Sequence, residues 1–332
     1  MGAPRPSVKI TDVAALAGVA PMTVSRVLNT PKAVAPATAE RVRDAIARLG
    51  YVPNLVAGGL SSNRSRIVAA IVPTIASPMF AASVQAFTDA LGPAGYHVVL
   101  GLSGYGAGSE DALIAAMLGR RPDGLLLTGL AHTPATRRRL AVAGIPLVEI
   151  WDMADQATDM VVGFDHHAVG AAIAGFFLAR GHRRFAAVGA DDPRAVERRR
   201  GFTEAVHAGG GALLFELSQP APASIQSGRE AVRAMQRQLG TPAALFCSSD
   251  LAAAGAVIEA GVQGIAVPGR LAICGFGDFE ISQAIVPAIT TVNVDGALIG
   301  RLAAEALLAR FAKTAAPRCI RVPFRIVERG ST

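Results

Sequence analysis

Apolar positions between Ile10 and Gly50 recur at helical spacing, whereas beyond residue 66 they gather into short unbroken runs; one chain therefore carries two kinds of architecture. Three helices are expected in the first stretch. Thr11 is suited to cap the first, with Asp12 in its opening turn and Val13, Ala14 and Ala17 on its inner face. Gly18 tolerates the left-handed conformation that ends a helix sharply. The second helix starts near Pro21, where a missing N–H costs nothing, and turns Val24, Val27 and Leu28 inward. The third covers about 36–49, with Val42, Ala45, Ile46 and Leu49 on one face and Gly50 as its stop. A small Ala14 at the crossing of the first two helices, a glycine turn four residues later and Val24 six residues beyond it give the spacing of a helix-turn-helix.

From residue 66 the apolar runs fall at 67–72, 97–102, 124–128, 146–150 and 161–164, and again at 185–188, 213–217, 243–247 and 271–274, with a final strand-like segment at 320–327. Each of the first nine is bounded by Gly, Pro, Asn or Asp and separated from the next by a helix-length segment, the pattern of doubly wound parallel sheets. The segment RIVAAIVPTIASPMF in the first half is echoed by RRFAAVGADDPRAVE in the second, so two similar lobes are expected. The fold class is a small all-α helix-turn-helix headpiece on an α/β core of two doubly wound parallel sheets. Ligands of such sheets bind beyond the carboxyl ends of the strands, which for two lobes is the cleft between them. Strand-end residues there are Thr74, Ser77, Phe80, Trp151 and Asp152 in the first lobe. In the second they are Arg194, Arg198, Ser249, Asp250, Phe276 and Asp278. Aromatic faces, hydroxyls, carboxylates and guanidinium groups in one cleft suit a sugar or sugar acid.

Charge sharpens the division. The net charge is +7, but the first 66 residues hold nine basic residues against three acidic ones, and the rest of the chain 23 against 22. A compact basic segment on a near-neutral body is the footprint of a nucleic-acid-binding module. With 332 residues, 51% of them hydrophobic, a large core can be buried, yet no apolar run approaches the ~18–20 residues that span a membrane. No apolar signal region precedes the headpiece. Cys247, Cys274 and Cys319 are widely separated, which fits buried small hydrophobes in a reducing compartment rather than a disulfide framework or a metal site. No metal or cofactor is expected. The glycines 104, 106 and 108 have GxGxG rather than GxGxxG spacing and follow the second strand, so a loop is expected instead of a dinucleotide site. No GxSxG, P-loop or HExxH motif is present, and the chain is not expected to be an enzyme.

The stretch ITDVAALAGVAPMTVSRVLNTPKAVAPATAERVRDAIARLGYVPNLVAGGLSS resembles the headpiece of the lactose-repressor (LacI) family along its whole length. The resemblance implies that the second helix enters the major groove of double-stranded operator DNA, with Pro21, Met22 and Arg26 at the base-reading positions. Arg26 suits a guanine edge and Met22 a thymine methyl. Thr11, Thr23, Ser25, Asn29, Tyr51, Asn54 and Ala57 complete the implied DNA contacts, most of them to phosphate. Leu60 matches the family residue that wedges into the minor groove at the operator centre. Residues 7–53 are thus expected to form the headpiece, 54–65 a hinge helix, and 66–332 an effector-binding and dimerisation core. Its first lobe is expected over about 66–164 and 294–321, its second over about 165–293 and 322–330.

The segments ARGHRRFAAVG, VERRRGF, SSDLAAAGA and LAICGFGD resemble the same family's sugar-sensing core. Arg198 matches its effector-contacting basic position and Ser249-Asp250 its Asn-Asp pair, while Gly277 stands where a polar contact often lies. The segments LLLTGLAHTPATRRRLAVAGIPLVEIWD and DMVVGFD are most similar to the gluconate-operon repressor branch. The resemblance implies a cytoplasmic homodimeric repressor whose operator affinity answers to a gluconate-like effector, with Arg198 facing its carboxylate. A neutral sugar or a purine as effector stays open, and so does a periplasmic-type sugar-binding protein without a DNA role.

Overall fold

A computed structural model describes residues 8–52, 64–106, 108–154, 157–239 and 244–332. The chain divides into two compact units, Met1–Ser65 and Arg66–Thr332. The first is a three-helix module of α1 (Ile10–Ala17), α2 (Pro21–Asn29) and α3 (Pro36–Leu49). Val13, Ala14, Ala17, Val24, Val27, Ala39, Val42 and Ala45 form its core, with Ile46, Leu49 and Tyr51 packed against it. Gly18 ends α1 at φ 63°, the left-handed turn that only glycine adopts at no steric cost. Two expectations change here. The residue preceding α1 is Lys9, not Thr11: the Asp12 carboxylate accepts the Lys9 N–H at 2.8 Å and fixes the start one turn before itself, leaving Thr11 exposed inside the helix. Leu28 is 37% exposed, at the edge of the face that Val24 and Val27 share.

The second unit is built on two parallel sheets. The larger contains β1 (Ile67–Val72), β2 (His97–Leu102), β3 (Gly124–Thr128), β4 (Leu147–Ile150), β5 (Met160–Gly163) and β11 (Cys319–Arg321), in the order β11-β5-β4-β3-β1-β2. The smaller contains β6 (Arg184–Ala190), β7 (Ala212–Gln219), β8 (Ala244–Cys247) and β9 (Ala272–Cys274), in the order β7-β6-β8-β9. All nine unbroken apolar runs became strands of these sheets. The segment expected at 320–327 instead splits. Arg321 ends β11, Val322 bonds back to Gly163 at 2.7 Å, and β12 (Phe324–Val327) pairs antiparallel with β10 (Thr291–Val294). Proline at position 323 has no N–H for a ladder, which separates the two short strands. Cys247 and Cys274 are buried as expected, but Cys319 lies exposed on the edge strand β11, its Sγ 3.0 Å from Met153 Sδ.

The helices of this unit are α4 (Pro78–Leu91), α5 (Ser109–Leu118), α6 (Pro134–Ala143), α7 (His166–Ala179), α8 (Pro193–Ala208), α9 (Ile225–Leu239), α10 (Asp250–Val262), α11 (Glu280–Ala284) and α12 (Gly296–Phe311). Among the described residues no single helix is long and apolar enough to cross a membrane. The α7–α8 crossing is set by two glycines. A methyl group on Gly170 of α7 would overlap the Arg198 carbonyl of α8, and one on Gly201 of α8 would overlap the His167 carbonyl. Reciprocal glycines thus let the two backbones touch and bring the residues of α8 close to the first turn of α7.

One buried ion cluster ties the larger sheet to its loops. His132 follows β3 and is buried between Glu110 at the start of α5, 2.6 Å from Nδ1, and Glu149 of β4, 2.9 Å from Nε2. Both carboxylates accept, so both ring nitrogens carry protons. Burial opposes this charge, but hydrogen bonds and attraction from the two glutamates outweigh it and raise the His132 pKa from 6.5 to about 9. The Thr158 N–H and hydroxyl also donate to Glu149, at 2.8 and 2.9 Å.

A folded-state pKa above the unfolded one gives stability that is complete below pH 6.5 and lost as pH rises through about 9. Replacing His132 with Gln should therefore flatten the fall in melting temperature between pH 6.5 and 9.5. The loss at pH 6.5 should be on the order of 2–3 kcal/mol. Parallel pH profiles for the two proteins would contradict a charged clamp.

Candidate functional site

On the first unit the outer face of α2 presents the residues expected to read DNA. Pro21 occupies the first helical position with no side-chain cap on Ala20, Met22 is 64% exposed, and Arg26 points outward. Thr23 and Ser25 are half-buried beside them, Thr11 is exposed on α1, and Tyr51 rests on the helical core after α3. The expected contacts of the Asn29 side chain, Asn54, Ala57 and Leu60, with the hinge itself, lie outside the described residues.

In the second unit a cavity of about 160 Å³ opens where strand ends of both sheets converge. Thr74 and Ser77 follow β1, Phe80 lies in the first turn of α4, and Trp151 follows β4 at φ 62°. From the other sheet come Asp192, Arg194 and Arg198 after β6, Ser248 and Ser249 after β8, and Phe276 and Phe279 after β9. Tyr105 enters from the glycine loop after β2, and His166 from the first turn of α7. The walls are aromatic: Trp151 meets Phe80 edge-on at 5.8 Å and Phe164 at 5.9 Å, and the Arg194 guanidinium lies 5.4 Å from the Phe80 ring.

Arg198 is the electrostatic centre. Its side chain is buried, its guanidinium stacks 4.0 Å from the Phe276 ring, and it donates to the Ser248 carbonyl at 3.1 Å and to His166 Nδ1 at 2.9 Å. Its Nε has no partner, and neither does the buried Ser248 hydroxyl. Among the described residues no carboxylate pairs with Arg198. Burial, countered by attraction to Asp192, lowers its pKa to about 10, so it stays cationic at neutral pH. Arg194, by contrast, has Asp192 at 3.8 Å. Burial also raises the pKa of Asp152 and of the Tyr105 hydroxyl.

Eight of the eleven residues expected in the cleft line this cavity: Thr74, Ser77, Phe80, Trp151, Arg194, Arg198, Ser249 and Phe276. Three carboxylates do not. Asp152 Oδ1 accepts the Met153 N–H at 2.9 Å. Asp250 is turned into the smaller lobe, where it accepts the Phe279 N–H at 2.8 Å and the Thr291 hydroxyl, and burial raises its pKa to about 6. Asp278 pairs with Arg329 and accepts from Asn293 at 3.0 Å. Sequence reasoning missed Tyr105, His166, Asp192 and Ser248. A strand end followed by Asp192 and a helix-starting proline was signal enough for one of them; the adjacent histidines carried no diagnostic spacing.

A basic helix-turn-helix unit and a two-sheet unit with a cleft at its strand ends make up the architecture of a DNA-binding transcriptional regulator. Residues 9–54 match the lacI family of bacterial regulatory proteins, and residues 174–332 match a periplasmic binding protein-like domain. The HTH-type transcriptional regulator GntR of Pseudomonas aeruginosa is 38% identical over 97% of this chain and 95% of its own length. GntR of Escherichia coli K12 is 32% identical over 97% and 98%. A LacI-family regulator from Silicibacter pomeroyi superposes with a TM-score of 0.92 at 33% identity, covering 98% of this chain and 99% of that one. The lac repressor dimer bound to operator and an anti-inducer superposes with a TM-score of 0.85 at 25% identity, covering 98% and 99%. The chain belongs to the lacI family of bacterial regulatory proteins. It is a DNA-binding transcriptional regulator and not an enzyme.

Because α7 touches α8 through glycine, Gly170→Ala should force the helices apart and move Arg198. A stability loss of about 1–3 kcal/mol in denaturant titration is expected. A neutral result would show that the crossing has slack.

Proposed function

We propose that the protein is a repressor that binds operator DNA as a homodimer in the cytoplasm, and that a sugar acid, gluconate first, occupies the cleft and weakens that binding. The observation that carries the effector class is the buried, unpaired charge of Arg198. A buried guanidinium without a carboxylate is costly until a ligand supplies one. A carboxylate reaching its Nε would form a charge-assisted bond that a neutral sugar cannot. Thr74, Ser77, Tyr105, Ser248 and Ser249 offer hydroxyls along the chain of such an acid, Asp192 offers acceptors for neighbouring hydroxyls, and Trp151, Phe80 and Phe276 cover C–H faces. The relatedness to GntR regulators supports the same class.

On DNA, Arg26 reads a guanine edge, Met22 and Pro21 make apolar contact, and Thr11, Thr23, Ser25 and Tyr51 hold phosphates. A ligand that binds the DNA-incompetent arrangement better releases the operator.

The test is fluorescence anisotropy on a labelled near-palindromic operator, or one selected from random DNA, at fixed salt with and without gluconate. Gluconate should weaken binding by wild type and leave Arg198→Gln unaffected. A response to a neutral sugar or a purine in place of any aldonate would remove the sugar-acid reading. On the same assay Arg26→Ala should cost about 1–3 kcal/mol and relax preference at one base pair of each half-site. An equal loss on all sequences would make Arg26 a phosphate contact instead.

A further inference from the structure

His166 heads α7 and closes the wall of the cleft, buried against Phe164 at 4.5 Å and Phe276 at 6.4 Å between ring centroids. Its Nε2 is 2.9 Å from the Trp151 carbonyl, which can only accept. That nitrogen therefore carries the proton, and Nδ1 is left with a lone pair for the Arg198 N–H at 2.9 Å. The ring is locked as one neutral tautomer by a carbonyl on one side and a cation on the other. Burial and the neighbouring Arg198 and Arg194 charges all oppose a second proton. Among the described residues its hydrogen-bond partners are the Trp151 carbonyl and the Arg198 guanidinium, and its ring contacts are Phe164 and Phe276. The nearby carboxylates are engaged elsewhere: Asp192 accepts the Ala195 N–H at 3.2 Å and sits beside Arg194, and Asp152 accepts from Met153.

We infer that His166 is the specificity-determining positioning residue of the cleft: it fixes the Arg198 fork by hydrogen bonding while leaving its charge unneutralised, and so reserves that charge for an acid. The inference rests on the sugar-acid reading of the cleft. A carboxylate at this position would hold Arg198 equally well, but it would form the ion pair from inside. The cleft would then favour an acid over its uncharged analogue no more than any neutral pocket does. A charge-assisted bond in a buried site is worth enough to separate the two ligands by about 10- to 100-fold.

Gln and Glu have the same shape and differ in charge, which makes them the decisive pair. Calorimetric titration of wild type, His166→Gln and His166→Glu with gluconate and with glucitol, its uncharged counterpart, at neutral pH is the experiment. Wild type and H166Q should favour gluconate by at least about tenfold, and H166E by less than about twofold. Melting curves check that each variant is folded, and His166→Asp places the same charge on a shorter side chain should the Glu variant fail to fold. An acid preference retained in the folded Glu or Asp variant overturns the role given to His166 while leaving the sugar-acid reading intact. Loss of the preference in H166Q as well would make the imidazole a packing group and overturn the role too. A wild type that does not prefer gluconate over glucitol removes the sugar-acid reading itself, and the role of His166 with it.

Discussion

Much of the second unit is arranged around one expensive group, a guanidinium buried with no carboxylate beside it. Taking such an ion out of water costs several kcal/mol that only excellent local partners offset. Arg198 has three of them: the Ser248 carbonyl, the His166 lone pair and the Phe276 ring. Each comes from a different element, so each must be held to within a fraction of an ångström. The glycine crossing of α7 and α8 sets the distance from His166 to Arg198. The strand ends of β8 and β9 deliver Ser248 and Phe276 in parallel register, one beside the other. A parallel sheet suits the task, because it delivers neighbouring loops to the same end.

Arg194 shows the alternative treatment of the same charge a few residues earlier. It is balanced by Asp192 and lies near the Phe80 ring across the cleft. One cation has a carboxylate at 3.8 Å, while the other feels Asp192 only as a longer-range attraction. The difference comes from where the helix starts. Asp192 caps α8 and so lies beside the residues of the first turn, whereas Arg198 lies on the second turn, where Asp192 attracts it without a direct ion pair.

Much of this was legible in the sequence. Strands at 97–102 and 124–128 and the helix at 36–49 emerged with their expected bounds, because glycine or proline marks their ends and the apolar period is unambiguous between. The cleft was placed by a topological rule, and Arg198 by family resemblance. What periodicity does not encode is the direction of a side chain just past a strand. Asp250 and Asp192 both follow smaller-sheet strands, yet Asp250 turns inward to satisfy Phe279 and Thr291 while Asp192 faces the cavity. Tyr105 was hidden in a loop weighed only for its glycines. His166 was hidden because its role depends on two partners, at positions 151 and 198, that only the fold brings together.

Those two partners also follow strands of different sheets, and the polar chain does not stop at them. Trp151 donates its indole N–H to the Ser83 hydroxyl at 2.9 Å, and Ser83 donates in turn to the Gly296 carbonyl at 2.8 Å, at the head of α12. Hydrogen bonds thus run from Arg198 on α8 through the junction of the sheets to α4 and α12, which flank the larger one. A ligand shifts an equilibrium only by the difference in its affinity for the two arrangements. An acid seated on the unpartnered Nε leaves the His166 bond in place, and that bond is the buried polar link, among the described residues, that joins Arg198 to the Trp151 backbone. Under the proposed function this link lets both sheets sense an acid at Arg198, through groups already in place for holding the ligand.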